Sequence, residues 1–152
     1  MTNEALKIKI TELFPAATID ESGEWINISI PPADLLTMAH QLRNSKELDL
    51  DYLFCITCVD WKTHLTMVYH FSSTTHRHSL VVKTNLDIND PGIATLSHIW
   101  RTAELHEREA YEMFGVVFRN HPDLRLLFLP DGWEGKKPMR KDFEDPVNMI
   151  KL

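Results

Sequence analysis

Trp25-Ile26-Asn27-Ile28-Ser29-Ile30, followed at once by Pro31-Pro32, is the stretch that decides the fold class. Ile26, Ile28 and Ile30 alternate with polar Asn27 and Ser29, and a period of two predicts a strand with one buried face. The two prolines end that strand and open a helix, because proline suits a helix's first turn and not its interior. Leu35, Leu36, Ala39 and Leu42 then recur at helical spacing through about Asn44. The chain thus switches from strand period to helix period in one step.

Upstream, residues 1–14 read as a short helix with Ala5, Leu6, Ile8, Ile10 and Leu13 as its apolar positions. Downstream, three more strands are expected. Residues 50–60 are a β-prone run, too apolar on both faces for a wet edge. Residues 64–71 alternate Leu65, Met67, Tyr69 and Phe71 with polar neighbours, and residues 79–84 pair with them across the polar loop 72–78. Asn89-Asp90-Pro91-Gly92 marks a turn, and helical text resumes over 93–100 and 103–114. The order predicts an α+β fold, a small mixed β-sheet of about four strands covered by helices.

After Gly115 the character changes. Four of the eight prolines and two of the five glycines fall in residues 116–152, and no useful period survives. Segments this long without regular structure are functional or disordered. Disorder needs low hydrophobicity, yet Leu124, Leu126, Leu127, Phe128 and Leu129 stand together, with Phe118, Trp133, Met139, Phe143 and Met149 around them. Residues 1–115 are therefore read as an α+β core domain and 116–152 as an extended, irregular C-terminal docking strap. The strap either packs back on its own domain or wraps a neighbour, and its mixed charge suits pairing with another protein.

At 152 residues, 43% hydrophobic and 25% charged, the chain fits one globular domain with a real core. A net charge of −6 argues against a general nucleic-acid binder, which carries a basic face. No run approaches the roughly 18 apolar residues that span a bilayer. The start, MTNEALKIKITELF, lacks a signal peptide's hydrophobic block. The expectation is a cytoplasmic protein whose contact with a membrane is only indirect.

Most candidate chemistry fails on inspection. Cys55-Ile56-Thr57-Cys58 is a CxxC, but on a strand an offset of three puts the thiols on opposite faces. Zinc and iron–sulfur sites want four ligands, and the chain has two cysteines. The expectation is two core cysteines. His76 and His78 share one side of a solvated loop. His106-Glu107 opens an HExxH pattern that fails at Ala110. No Gly-rich loop follows a strand, so neither a P-loop nor a dinucleotide fingerprint is present.

The charged helix remains. Glu104–Arg108 and Arg108–Glu112 are i,i+4 pairs that read as a solvated face. Glu107 shares a stripe with Ala103, Ala110, Phe114 and Val117, so it is expected at least half buried, and a buried carboxylate needs partners. An arginine or the backbone of the strap is the expected partner. Gly115 reads as the helix's C-terminal cap. Acid–base work by Glu107, Glu109 and Glu112 is the alternative of a different class.

Glu107-Arg108-Glu109-Ala110-Tyr111-Glu112-Met113-Phe114-Gly115 continues to Phe118, His121-Pro122-Asp123-Leu124-Arg125, Pro130-Asp131-Gly132-Trp133-Glu134-Gly135 and Pro138-Met139-Arg140-Lys141-Asp142-Phe143. This ordered string resembles the signature of the 30-kDa or C subunit of NADH-quinone oxidoreductase, respiratory complex I. Glu112 stands where that family generally has aspartate, Leu126 where a second arginine is common, and Lys136-Lys137 adds a residue before Pro138. The resemblance implies a non-catalytic subunit of the peripheral arm of a proton-translocating enzyme, lying on the cytoplasmic face of the cell membrane. It implies no cofactor in this chain, with FMN, iron–sulfur clusters and quinone on partner subunits. Its partners would be the enzyme's D subunit, along which the strap packs, and the neighbouring iron–sulfur subunits. Glu107, Arg108, Glu109, Glu112, Gly115, Phe118, His121, Pro122, Asp123, Arg125, Arg140, Lys141 and Asp142 are the docking and signature residues so implied. Membrane-bound hydrogenases and formate-hydrogen-lyase-type complexes carry a similar subunit.

Overall fold

The computed structural model describes residues 1–149; of the strap, residues 150–152 lie outside the described ones. The elements run α1 (Asn3–Leu13), β1 (Thr18–Asp20), β2 (Ile26–Ser29), α2 (Leu35–Asn44), β3 (Tyr52–Asp60), β4 (His64–Ser72), β5 (Ser79–Asp87), β6 (Gly92–Ala94), α3 (Ala103–Phe114) and β7 (Val117–Arg119). Five strands form a mixed sheet in the order β1-β2-β5-β4-β3, and β6 and β7 make a separate parallel pair. The α+β class holds, with one strand more in the main sheet than the period suggested.

Ile26, Ile28 and Ile30 are buried, and β2 runs parallel to β5. Leu65, Met67, Tyr69 and Phe71 of β4 are buried as their alternation requires. The apolar faces of α1 and α2 close over the sheet with Leu6, Ile10, Leu35, Met38, Ala39 and Leu42. A single turn of 3₁₀ helix, Pro32–Asp34, follows Pro31 and leads into α2. Met38 takes an inward place, whereas Leu36, Ile8 and Ala5 lie outside.

Two expectations are corrected. The apolar run of 50–60 is an edge strand after all, β3. It tolerates the edge because α3 packs against it, while Trp25, Phe54 and His70 cluster edge-on with centroids 5.7–6.0 Å apart. Residues 93–100 are not a helix. Ile93 sits on β6 beside Phe118 of β7, and Leu96 and Trp100 enter the core from turns. Apolar residues three or four apart imitated a helix here, and the pairing that decides otherwise is with a segment some 25 residues away.

Trp100 ties the approach to α3 onto the sheet. Its ring lies 4.9 Å from Phe71, and its indole Nε1–H donates to the Leu50 carbonyl at 2.9 Å. Thr102 Oγ1 donates to the Leu53 carbonyl at 2.6 Å. These bonds set where α3 starts. Replacing Trp100 by Phe keeps an aromatic ring but leaves the buried Leu50 carbonyl without its donor, which costs about 1–3 kcal/mol. The expected outcome is a correspondingly lower urea midpoint with an unchanged denaturant slope, read by circular dichroism.

Candidate functional site

The charged face of α3 is not solvated. Arg108 is 7% and Glu112 2% exposed, and both are covered by the strap that follows the helix. Arg108 donates from Nε to the Arg125 carbonyl at 3.1 Å and from Nη2 to the Leu126 carbonyl at 2.6 Å. One turn later the Glu112 carboxylate accepts the next three backbone N–H groups, from Leu127 at 2.8 Å, Phe128 at 2.9 Å and Leu129 at 3.2 Å. The i,i+4 spacing that puts both charges on one stripe serves the strap's backbone instead of a solvent-facing pair. Three successive N–H groups converging on one anion make a nest, and charge-assisted bonds of this kind are about twice as strong as neutral ones.

The strap returns at the other end of the helix. Gly115 caps α3 in the left-handed region at φ 80°, and Lys137 lies over it. Arg140 donates from Nε to the Phe114 carbonyl at 2.6 Å and from Nη1 to the Ile88 carbonyl at 3.0 Å. A cation at a helix C-terminus is favoured by the helix dipole. Met139 N–H reaches the Met113 carbonyl at 3.1 Å. Asp60, at the end of β3, accepts Lys141 N–H at 2.8 Å and Lys62 N–H at 2.7 Å. Those two backbone bonds hold its carboxyl below the usual carboxylate range.

Glu107 is fully buried, and its partners differ from those expected. Neither an arginine nor the strap backbone meets it. Thr95 Oγ1 lies 2.5 Å from Oε2, Leu96 N–H donates to Oε1 at 2.7 Å, and His121 Nε2 is 3.7 Å from Oε2. Burial pushes its carboxyl up to about 7, against the two hydrogen bonds that favour the charged form. His121 itself is fixed on both sides. Its Nδ1 accepts Asp123 N–H at 3.0 Å, and its Nε2 lies 3.0 Å from the Glu104 carbonyl, which accepts only. The ring is therefore held as the Nε2–H tautomer.

The signature residues divide by direction. Glu107, Arg108, Glu112, Phe118 and Arg140 are buried, and His121 has its side chain fully covered. Glu109, Pro122, Arg125, Lys141 and Asp142 are exposed, and half-exposed Asp123 accepts from Arg125 Nε at 2.9 Å. Glu107 faces the 95–97 turn, Glu112 the strap and Glu109 solvent, so the structure does not bring the three carboxylates into one open site. Asp60 and Thr95 were missed. Asp60 had a readable signal, a lone acid ending an apolar strand, whereas nothing around Thr95 announced its role.

The strap's apolar side chains are left largely uncovered. Phe128 is 67%, Met139 59% and Val147 87% exposed, and Leu124, Leu126, Leu127 and Leu129 are only half buried. Trp133 and Phe143 lie 6.3 Å apart with Lys136 Nζ 4.4 Å above the Trp133 ring. The two thiols fall on opposite faces of β3, as their spacing required. Cys58 is buried and pushed up to about 12 by desolvation, while Cys55 is half exposed instead of core. His78 is buried, not solvated, beside His76. Among the described residues no helix is long and apolar enough to cross a membrane.

Fold and site together define an α+β domain whose charged helix holds an extended strap by its backbone and leaves its apolar side chains outward. The chain belongs to the family of the respiratory-chain NADH dehydrogenase 30 Kd subunit, whose model matches residues 28–147. It is 39% identical over 134 residues to the NADH-quinone oxidoreductase C subunit of Chloroherpeton thalassium, covering 87% of this chain and 51% of that protein. It is 33% identical to the C subunit of Moorella thermoacetica, covering 89% and 90%. A joined C/D subunit of Phocaeicola vulgatus is 38% identical, with 82% of this chain matching 24% of its length. The chain thus spans about half of the first relative and a quarter of the joined one. Among solved structures, the membrane-bound sulfane sulfur reductase, an archaeal respiratory membrane complex, contains a chain at TM-score 0.81 and 26% identity, covering 93% of this chain and 85% of that one. The trypsin-resistant fragment (1-134) of Nqo5 shares the fold at TM-score 0.68 and 23% identity, with 81% of this chain covering 100% of it.

Replacing Glu112 by Gln puts an amide NH₂ against three N–H donors, and losing a charge-assisted acceptor there costs about 2 kcal/mol. Trypsin is expected to cut after Arg125 at least roughly tenfold faster in this variant than in the parent, by mass spectrometry, with the far-ultraviolet spectrum unchanged.

Proposed function

We propose that this chain is a non-catalytic subunit of the peripheral arm of a proton-translocating NADH-quinone oxidoreductase, docked by residues 116–149 onto the enzyme's D subunit and the neighbouring iron–sulfur subunits. It carries no flavin, cluster or quinone ligand of its own; FMN, the iron–sulfur clusters and quinone belong to its partners. It sits on the cytoplasmic face of the membrane and touches the bilayer only through them. One observation carries the docking: the strap is fastened by backbone bonds to Arg108, Glu112 and Asp60 while Phe128 and Met139 stand in solvent. Covering a side chain such as Phe128 contributes on the order of 2 kcal/mol, so a few of them suffice for a hot-spot patch. The relatives whose names join C and D in one protein support the D subunit as the neighbour.

A second reading has its own support. The likeness over 93% of the chain to a component of the sulfane sulfur reductase complex fits an equivalent place in a hydrogenase-type or formate-hydrogen-lyase-type membrane complex. The docking parts are the same in both, so the companions decide. Native membranes solubilised in mild detergent and purified through this chain should yield a flavin-and-NADH-binding companion; a nickel-containing companion without one assigns the second reading.

The docking itself is tested by replacing Phe128 and Met139 together with Ser. Both are exposed, so the melting temperature should stay within about 2 °C while recovery of companions falls at least roughly tenfold. Companions recovered at the parent level would remove the strap as the anchor.

A further inference from the structure

The buried carboxyl at the strap's root carries regulation of this same docking surface, and its biological meaning rests on the docking reading. Glu107 projects from α3 into a closed space between the 95–97 turn and the first turn of the strap. The 95–97 turn offers one hydroxyl and one amide, Thr95 Oγ1 at 2.5 Å and Leu96 N–H at 2.7 Å. Thr95 Oγ1 also accepts Ser97 N–H at 3.1 Å and lies 2.8 Å from Ser97 Oγ. A protonated Oε2 donates to Thr95 Oγ1, which then passes its own proton to Ser97 Oγ, and the whole chain is satisfied. An ionised Glu107 has two donors, no exposure and no cation.

The titratable groups around it supply none. Glu104, a turn earlier on α3, adds a like charge. Arg108 is turned away to the strap carbonyls. From β4 the buried Tyr69 phenol faces the same carboxyl and is raised well above its ordinary value. Only His121, on the strap at 3.7 Å, is placed to answer a negative charge. It does so by turning Nε2–H from the Glu104 carbonyl towards Glu107, and that rotation pulls Nδ1 off Asp123 N–H.

We propose that Glu107 and His121 form a proton-operated latch on the strap's first turn, closed onto α3 when the carboxyl is protonated and loosened when it ionises. Because burial raises the carboxyl in the folded chain, its stabilising share is complete below the ordinary carboxylate range and is lost as pH rises through about 7. The latch therefore opens towards alkaline pH, freeing the turn at 121–123 that leads into the apolar run.

Carbon-detected NMR of the full chain, titrated from pH 5 to 9, tests this. The Glu107 carboxyl, the His121 ring nitrogens and the Asp123 amide should shift together with one midpoint near neutrality. Hydrogen exchange at the Asp123 amide, divided by that of Glu107→Gln, should rise about tenfold over the unit above that midpoint. The carboxamide imitates the protonated acid, so in Glu107→Gln the step at His121 and Asp123 should vanish. A carboxyl titrating in the ordinary range, or an Asp123 amide unmoved while Glu107 titrates, overturns the latch, and both are read on the unaltered chain. Neither result touches docking, which stands or falls on whether companions co-purify.

Discussion

Everything C-terminal to α3 depends on one arrangement, a positive and a negative side chain one helical turn apart that grip another segment's backbone. Arg108 takes two carbonyls and Glu112 three amides of residues 125–129. Irregular chain is costly to bury because its backbone polar groups lack partners. Here the helix provides those partners, so the strap needs no strand or helix of its own. Since the backbone faces α3, the side chains are turned the other way. A segment that apolar is held open instead of collapsing.

The same logic recurs at each contact. Arg140 satisfies the last carbonyl of α3, and Asp60 takes an amide from the returning chain. Phe118, by contrast, is a conventional core residue on β7, paired with Ile93. The family signature therefore mixes three kinds of residue: fasteners such as Arg108, core pieces such as Phe118, and exposed positions such as Arg125 and Lys141. Only the last kind is free to meet a partner directly. Changing a fastener alters docking by releasing the strap, and changing an exposed residue alters it by contact.

The fold was legible wherever a period was local. Ile26, Ile28 and Ile30, and Leu65 through Phe71, needed nothing but alternation to be read correctly. Residues 93–100 misled because Ile93, Leu96 and Trp100 have helical spacing by coincidence, and the parallel pairing with β7 is invisible in a local window. The strap junction was legible as a string of residue types and not as geometry. Arg108–Glu112 reads as a surface pair on any isolated helix, and only a chain folding back over it makes the pair a clamp. Glu107 was rightly read as buried from its stripe, yet its true partner, Thr95, lies in a turn whose position depends on Trp100.

The central claim is that the isolated chain holds the strap's backbone closed while its apolar side chains stay wet. Amide exchange combined with solvent paramagnetic relaxation on the full-length protein measures both at once. The account predicts strong protection of the Leu127, Phe128 and Leu129 amides together with strong relaxation of the Phe128 ring and Met139 methyl protons. Unprotected amides would show a strap that is loose, and a shielded Phe128 ring would show one tucked into its own domain; either contradicts it.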